Sequence, residues 1–287
     1  MNGLFETWRL FNINEKIIKK NNIDRILSKI TPAKIIAAFA ICLLACYTAI
    51  LLFDVFNVFG VRSFLETSGL GAPAVWYHLF SARSPTEYLQ TFLLGLFALS
   101  CVYISGRGSE LLQNRLGYFW FMIGLFALIL LVEEGADLSR RYQTIMEIIM
   151  PGAPFLSSRA FIFSIYMLIG LVPLVLYFKD IYAHKKPFFY LVAGYLVYGF
   201  AGIQSVFLNF IGLSRVDFGM FIFYDLLGGV LHFPLNEVYS SKEYIAFLFV
   251  DYVIEEPLEL LAICFLLCSV FSYIAEIYKP EGKIKQG

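Results

Sequence analysis

The sequence predicts an all-α fold, a polytopic membrane bundle of about six transmembrane helices with re-entrant or interfacial segments between them. Three observations predict it. The 287 residues are 59% hydrophobic and only 15% charged, which is too apolar for a soluble domain of this length. Uncharged runs recur at about the 20-residue length that crosses a bilayer. Basic and acidic residues, 22 of each, are concentrated in different connecting segments.

The apolar runs define the predicted spans. Five of them carry no charged residue, and the sixth has acidic residues in its first half. In chain order the spans are 35–53, 88–105, 116–132, 160–178, 187–214 and 244–275. Segment 218–236 is also apolar, but Asp225 and a Gly-Gly pair interrupt it, so a re-entrant or interfacial hairpin is predicted there instead of a crossing.

The charge distribution predicts the orientation. Lysines cluster before residue 35, near residue 185 and after residue 278, and positive charge stays on the cytoplasmic side. We therefore expect a multi-pass protein of the cell (inner) membrane with cytoplasmic N- and C-termini. The chain divides into a cytoplasmic amphipathic segment (1–33), one transmembrane helical domain (34–276) and a cytoplasmic tail (277–287). Segment 1–33 suits either surface helices that bind anionic lipid or an ordinary topology signal.

Two acidic clusters interrupt the apolar pattern. A carboxylate in the hydrocarbon region is costly unless it is paired, protonated or hydrated. Both clusters are predicted at the outer boundary of the membrane, because the third span runs outward and the sixth runs inward. We therefore predict that they face each other in one polar site. Its candidate residues are Glu133, Glu134, Asp137, Asp251, Glu255, Glu256 and Glu259.

The spacing of the acids predicts two helical stripes, since residues four apart share a helix face. Asp251, Glu255 and Glu259 form the first stripe. The second consists of Glu133, Asp137 and Arg141. Pro257 lacks a backbone N–H and predicts a kink or a restart of the helix next to the first stripe.

Arginines are the expected counter-charges, because a guanidinium holds carboxylate pairs better than an ammonium does. Arg140 and Arg141 are the candidates closest to the clusters. Arg62, Arg83, Arg159 and Arg215 are predicted on the same side. Two interpretations remain open. The charges form either a closed network that holds the helices together or an open site that binds an ion or the head group of a lipid-linked substrate.

Three short motifs resemble a known family. Glu87 and an aromatic residue open the second span, Glu133-Glu134 is followed by five residues and Arg140, and the late helix carries Glu255-Glu256-x-x-Glu259. In these features the chain is similar to a large uncharacterised family of prokaryotic polytopic membrane proteins. The Trp, Gly and Gln that this family places before the arginine are absent here. The resemblance covers roughly residues 84–275, implies the fold and the membrane location, and implies no activity.

Several chemistries lack support in the sequence. The five cysteines lie in predicted spans, so they indicate no disulfide framework. Their two i, i+4 pairs, Cys42/Cys46 and Cys264/Cys268, suit a thiolate metal site only if the first and sixth helices touch at matching depth, and packing is the alternative. No HExxH, GxSxG, P-loop or Glu-x-x-His motif is present, which leaves zinc proteolysis, hydrolase chemistry, nucleotide binding and di-iron chemistry without support.

Three functional classes remain. The first is an enzyme that acts on a lipid-linked substrate at the outer leaflet and uses the carboxylates as acid/base groups or as ligands of a divalent cation. The second is a proton- or cation-coupled transporter, which the lack of an internal repeat disfavours. The third is a non-catalytic subunit of a larger membrane complex. The expected partners are membrane lipids and other membrane proteins, and nothing indicates nucleic acid.

Overall fold

The structure is a computed structural model that describes residues 27, 29–68, 74–81, 84–111, 115–150, 152–153, 156, 159–210, 215–222, 225 and 242–277. Every regular element in these ranges is helical. The first 26 residues, most of the predicted hairpin 218–236 and the tail after residue 277 lie outside the described residues.

Long helices cover each of the six segments that were predicted to span the membrane. They are α1 (Pro32–Ile50), α4 (Pro85–Leu111), α5 (Arg115–Ala136), α7 (Arg159–Leu176), α9 (Lys185–Phe210) and the pair α11 (Lys242–Phe249) and α12 (Glu256–Ile277). The shorter helices are α2 (Val61–Thr67), α3 (Val75–Phe80), α6 (Leu138–Ile149), α8 (Phe178–Tyr182) and α10 (Arg215–Gly219). By length and composition, four helical stretches of the described chain are able to cross a membrane: Pro32–Val55, Val75–Gly106, Arg115–Ala136 and Tyr252–Ile277.

Helix α12 lies at the centre of the bundle. Its side chains are buried almost continuously from Leu260 to Ile274, and α9, α4 and α1 pack against it. Helix α5 packs mainly on α4 and reaches α12 through Trp120, whose ring centroid lies 5.1 Å from that of Tyr273. Helix α1 has no fully buried residue. The apolar core is therefore built around α12, and α1 lies at the periphery.

The close packing of α9 on α12 depends on Gly194. A Cβ atom at this position would lie 2.8 Å from Leu266 Cδ2 and 3.1 Å from the carbonyl oxygen of Ala262. We expect Gly194→Val to lower the free energy of unfolding by about 1–3 kcal/mol, because the helices must separate to admit the side chain. Gly106→Val on α4 is the control, since nothing lies within 4 Å of its added Cβ. Thermal unfolding in detergent measures both variants, and equal losses would contradict the packing argument.

Helix α5 ends earlier than the acidic stripe requires, so the predicted stripe of Glu133, Asp137 and Arg141 is wrong. Helix α5 stops at Ala136, and Asp137 adopts a left-handed φ of 48° before α6 begins. The turn directs the following residues away from the line of α5. The three side chains therefore belong to different elements instead of one helix face.

The chain near Pro257 changes its winding without breaking. A π-helical turn, Val250–Glu255, precedes α12, and Glu256 keeps helical dihedrals of −57° and −46°. The predicted restart is therefore a change from π to α geometry. Because a π turn holds more residues than an α turn, the four-residue spacing of Asp251, Glu255 and Glu259 does not place them in one straight stripe. The side chain of Asp251 lies outside the described part.

The two ends of the bundle carry polar contacts on either side of the apolar middle. At the end where α5 begins, Arg115 Nε lies 3.2 Å from Asp180 Oδ2. Nearby on the same side, His184 Nδ1 lies 3.0 Å from Glu276 Oε2. The acidic residues predicted to form a site lie at the opposite end, where α5 ends and α12 begins.

Candidate functional site

Helix α4 begins beside the acidic residues and carries Gln90 into them. Ser84 and Pro85 start the helix as a cap and a first-turn proline, and the Ser84 hydroxyl accepts a hydrogen bond from the Glu87 amide at 3.3 Å. Ser84 and Glu87 have the spacing of a capping box. The position of Glu87 is therefore explained by the start of α4. One turn later, Gln90 is completely buried.

Gln90 joins α4 to α12. Its amide nitrogen donates to Glu259 Oε2 at 2.6 Å, and the same side chain lies near the Glu134 carboxyl group. Glu134 and Glu259 are close enough to interact electrostatically. The structure therefore brings one acid from each predicted cluster together, with a neutral amide between them. We call Gln90, Glu134 and Glu259 the carboxylate–amide group.

Helix α9 contributes a tyrosine to this group. The Tyr198 hydroxyl donates to Glu134 Oε1 at 2.8 Å, and Tyr198 also lies within electrostatic range of Glu259. Glu87 is near Glu134 as well. Four helices, α4, α5, α9 and α12, therefore meet at the carboxylate–amide group. The hydrogen bonds that Glu134 and Glu259 accept from Tyr198 and Gln90 come from uncharged donors.

Glu133 has a different and structural role from its neighbour in sequence. It is 7% exposed, and its two carboxylate oxygens accept the backbone N–H of Ser139 at 3.2 and 3.0 Å. The Tyr166 hydroxyl of α7 also donates to it at 3.0 Å. Glu133 thus caps the N-terminus of α6, where a negative charge is favourable, and ties α6 and α7 to the end of α5.

The carboxylate–amide group contains an unused acceptor. Gln90 Oε1 is buried and has no hydrogen-bond partner among the described residues. A buried carbonyl oxygen without a donor is uncommon and needs an explanation. Exchanging the oxygen and nitrogen of the amide would remove the donor to Glu259, so the geometry favours a carbonyl oxygen that lacks a donor beside two carboxyl groups.

The predicted arginines do not join this group. Arg140 Nε pairs with Asp137 Oδ2 at 3.2 Å on the exposed side of the turn, and the Arg141 side chain is exposed. Among the described residues, neither arginine forms an ion pair with Glu133, Glu134 or Glu259. The side chains of Arg83, Arg159 and Arg215 lie outside the described residues. Glu255 and Glu256 are partly buried and lie within electrostatic range of Glu259.

Asp54 is a buried carboxylate that the sequence argument missed. It lies in the π-helical turn at the end of α1, is 3% exposed, and accepts the backbone N–H groups of Val75 at 2.7 Å and Trp76 at 2.9 Å. Ala74, the cap residue of α3, provides no side-chain bond of its own. Asp54 therefore holds the start of α3 across 21 residues of sequence. An acid at the end of an apolar run was the available signal.

Gln90, Tyr166 and Tyr198 were also missed as partners. The signal for Gln90 was its polar amide inside the uncharged run 88–105, because a polar side chain in a membrane helix needs a buried partner. The two tyrosines gave no comparable signal, because tyrosine is common in membrane spans and at their interfaces. Only the arrangement of α7 and α9 identifies them.

A metal site built from several cysteine, histidine or acidic side chains is not found in the described residues. No group of three or more His, Cys, Asp or Glu side chains there is arranged to hold a metal ion. Helices α1 and α12 do touch, and they run antiparallel, because Tyr47 bonds to the Val253 carbonyl at 3.1 Å and Cys268 Sγ lies 3.7 Å from the Pro32 carbonyl. Cys42 is ten residues beyond Pro32 and thus about 15 Å farther along α1, so the two cysteine pairs lie at different depths.

Comparison of the chain with protein-family models, with curated proteins and with solved structures gives no match.

Proposed function

We propose that this chain is a multi-pass protein of the cell (inner) membrane, with both termini in the cytoplasm, whose carboxylate–amide group binds a small cation near the outer boundary of the bilayer. The observation that carries the proposal is the position of Gln90 between Glu134 and Glu259, with its carbonyl oxygen unused. The similarity to the prokaryotic membrane family remains part of the proposal, and it rests on Glu87, on the Glu133-Glu134 pair with Arg140, and on Glu255-Glu256 with Glu259.

The charge balance of the group favours a cation. Two carboxylates close together in a poorly solvated place repel each other, and the donors from Gln90 and Tyr198 are neutral. A cation between them would remove the repulsion and use Gln90 Oε1 as a further oxygen ligand. Hard ions such as Na⁺ and Mg²⁺, and protonated amines, prefer oxygen groups of this kind. Protons are the competing occupants of the same carboxyl groups.

This geometry favours an ionic ligand over the head group of an acidic lipid-linked substrate. The latter interpretation required arginines in the site, and Arg140 and Arg141 lie outside it. The alternative of a non-catalytic subunit predicts a closed group that is indifferent to added ions. Cation-dependent stability therefore separates the two.

A titration of thermal stability tests the proposal. The purified protein is unfolded in detergent at several concentrations of NaCl, MgCl₂ or methylammonium chloride, at constant ionic strength and at two pH values. We expect one of these cations to raise the midpoint, since a ligand at about 100 times its Kd stabilises by about 2.7 kcal/mol. The double variant Glu134→Gln/Glu259→Gln should lose this response and be more stable than the wild type without the cation, because the repulsion is gone.

Glu147→Gln is the matched control. Glu147 is an exposed carboxylate on α6 that accepts a hydrogen bond from Gln143 at 2.7 Å. It should keep the full cation response. A double variant that responds like the wild type would refute the site, and a wild type that responds to none of the cations at either pH would favour the closed structural group.

A further inference from the structure

Helix α6 presents three different faces. At 100° per residue, Ser139, Tyr142, Gln143 and Met146 share one face, and these side chains are buried or half-buried against the protein. Arg140, Thr144 and Glu147 share a second, exposed and polar face. A third face is exposed but apolar. It is formed by Leu138, Ile145, Ile148 and Ile149, which are 37, 54, 77 and 63% exposed.

The position of α6 identifies what covers the apolar face. The helix starts one residue after α5, one of the stretches able to cross a membrane. The Glu133 carboxylate and the left-handed Asp137 hold that start against the end of the span. The apolar face is therefore held at the level where the hydrocarbon region of α5 ends, and large exposed isoleucines at that level are suited to acyl chains.

Arg141 lies on the apolar face, between Ile148 and Ile145 at 100° per residue. It is on the same side of the helix as Ile145 and Ile148, its side chain is exposed, and it forms no ion pair with a described residue. Arg140, in contrast, is paired with Asp137. A long basic side chain on an apolar face at the membrane boundary reaches out of the hydrocarbon toward lipid phosphates.

We infer that α6 lies in the plane of the membrane surface as a lipid-binding helix, with the isoleucines in the acyl region and Arg141 on the phosphate of an anionic phospholipid. The helix thereby anchors the end of α5 that carries Glu133 and Glu134. This inference does not depend on the cation proposal, because it uses only the exposed faces of α6 and its attachment to α5.

Fluorescence quenching tests the position of the helix. Ile148→Trp and Glu147→Trp are placed separately in the full chain and reconstituted in phosphatidylcholine vesicles whose acyl chains carry bromine. Position 147 is exposed on the polar face, 100° from position 148. The emission of the three native tryptophans, measured with the wild type, is subtracted. We expect the tryptophan at position 148 to be quenched and the one at position 147 to keep its emission. Equal quenching at the two positions, or quenching only at 147, would overturn the inference.

Lipid binding tests the role of Arg141. Native mass spectrometry of the detergent-solubilised protein measures the binding of phosphatidylglycerol. Arg141→Gln should weaken it about fivefold, the effect of about one basic residue at an anionic surface. Arg140→Gln is the matched control and should change it little. Unchanged binding in Arg141→Gln, or an equal loss in Arg140→Gln, would overturn the assignment of the phosphate contact.

Discussion

Replacing Asp54 by alanine is expected to lower the free energy of unfolding by about 4 kcal/mol. Each buried N–H left without an acceptor costs about 1–3 kcal/mol, and the change leaves those of Val75 and Trp76 without one. The start of α3 is then free, and with it the contact of Trp76 with the ring of Phe249, at 6.1 Å between centroids. Unfolding in mixed detergent and SDS measures the loss.

Hydrogen exchange distinguishes this capping role from a general loss of stability. In Asp54→Ala, the amides of α3 should exchange faster than those of α12, which retains its packing. Asp54→Asn is the matched variant, since its amide oxygen still accepts one of the two bonds, and it should lose about half as much stability. An alanine variant that is as stable as the wild type and keeps α3 protected would show that Asp54 does not hold this helix.

The second large effect is expected at Glu133, and its sign should differ from that at Glu134. Glu133→Ala removes the acceptor of the Ser139 N–H and the Tyr166 hydroxyl, so we expect a loss of about 3 kcal/mol. Glu134→Gln removes one of two neighbouring carboxylates and should stabilise the protein when no cation is added. Thermal unfolding in the same detergent compares the two neighbours directly.

A double-mutant cycle tests the contact of Glu133 with α7. Tyr166→Phe deletes only the hydroxyl that donates to Glu133 at 3.0 Å. The loss for Glu133→Ala combined with Tyr166→Phe should be about 1 kcal/mol smaller than the sum of the single losses, because both remove the same bond. Additive losses would mean that the hydroxyl and the carboxylate do not interact, and a loss at Glu134→Gln equal to that at Glu133→Ala would remove the distinction between the two roles.

The helices were predictable because each depends on local sequence. Uncharged runs of about 20 residues specify a helix wherever backbone groups must be satisfied within the segment. The observed helices α1, α4, α5, α7 and α9 cover the first five predicted runs, with ends that differ by a few residues, and α11 and α12 cover the sixth with a π turn between them. Predicting the end of α5 failed at Asp137. The turn there depends on a side-chain contact, in which the Glu133 carboxylate accepts the Ser139 N–H, and the sequence pattern does not show this contact.

The candidate site was predictable only in part. Acids in apolar segments are costly wherever they lie, so the sequence included Glu134 and Glu259 among its candidate residues. It did not separate them from Glu133, although the two glutamates are adjacent, because neighbours on a helix point in different directions and meet different partners. It also assigned arginines as counter-charges, whereas Arg140 pairs with Asp137, and Glu134 and Glu259 accept hydrogen bonds from Tyr198 and Gln90.

By itself, the sequence determined that this chain is all-helical, that its apolar helices are long enough for a membrane, and that acidic residues at one end of them need partners. These properties follow from composition, run length and the cost of buried charge, which act on each segment separately. The tertiary structure decided which acids cap helices and which share a buried amide. That decision depends on contacts between residues as distant as Gln90 and Glu259, and such contacts form only when α4, α5, α9 and α12 pack around one another.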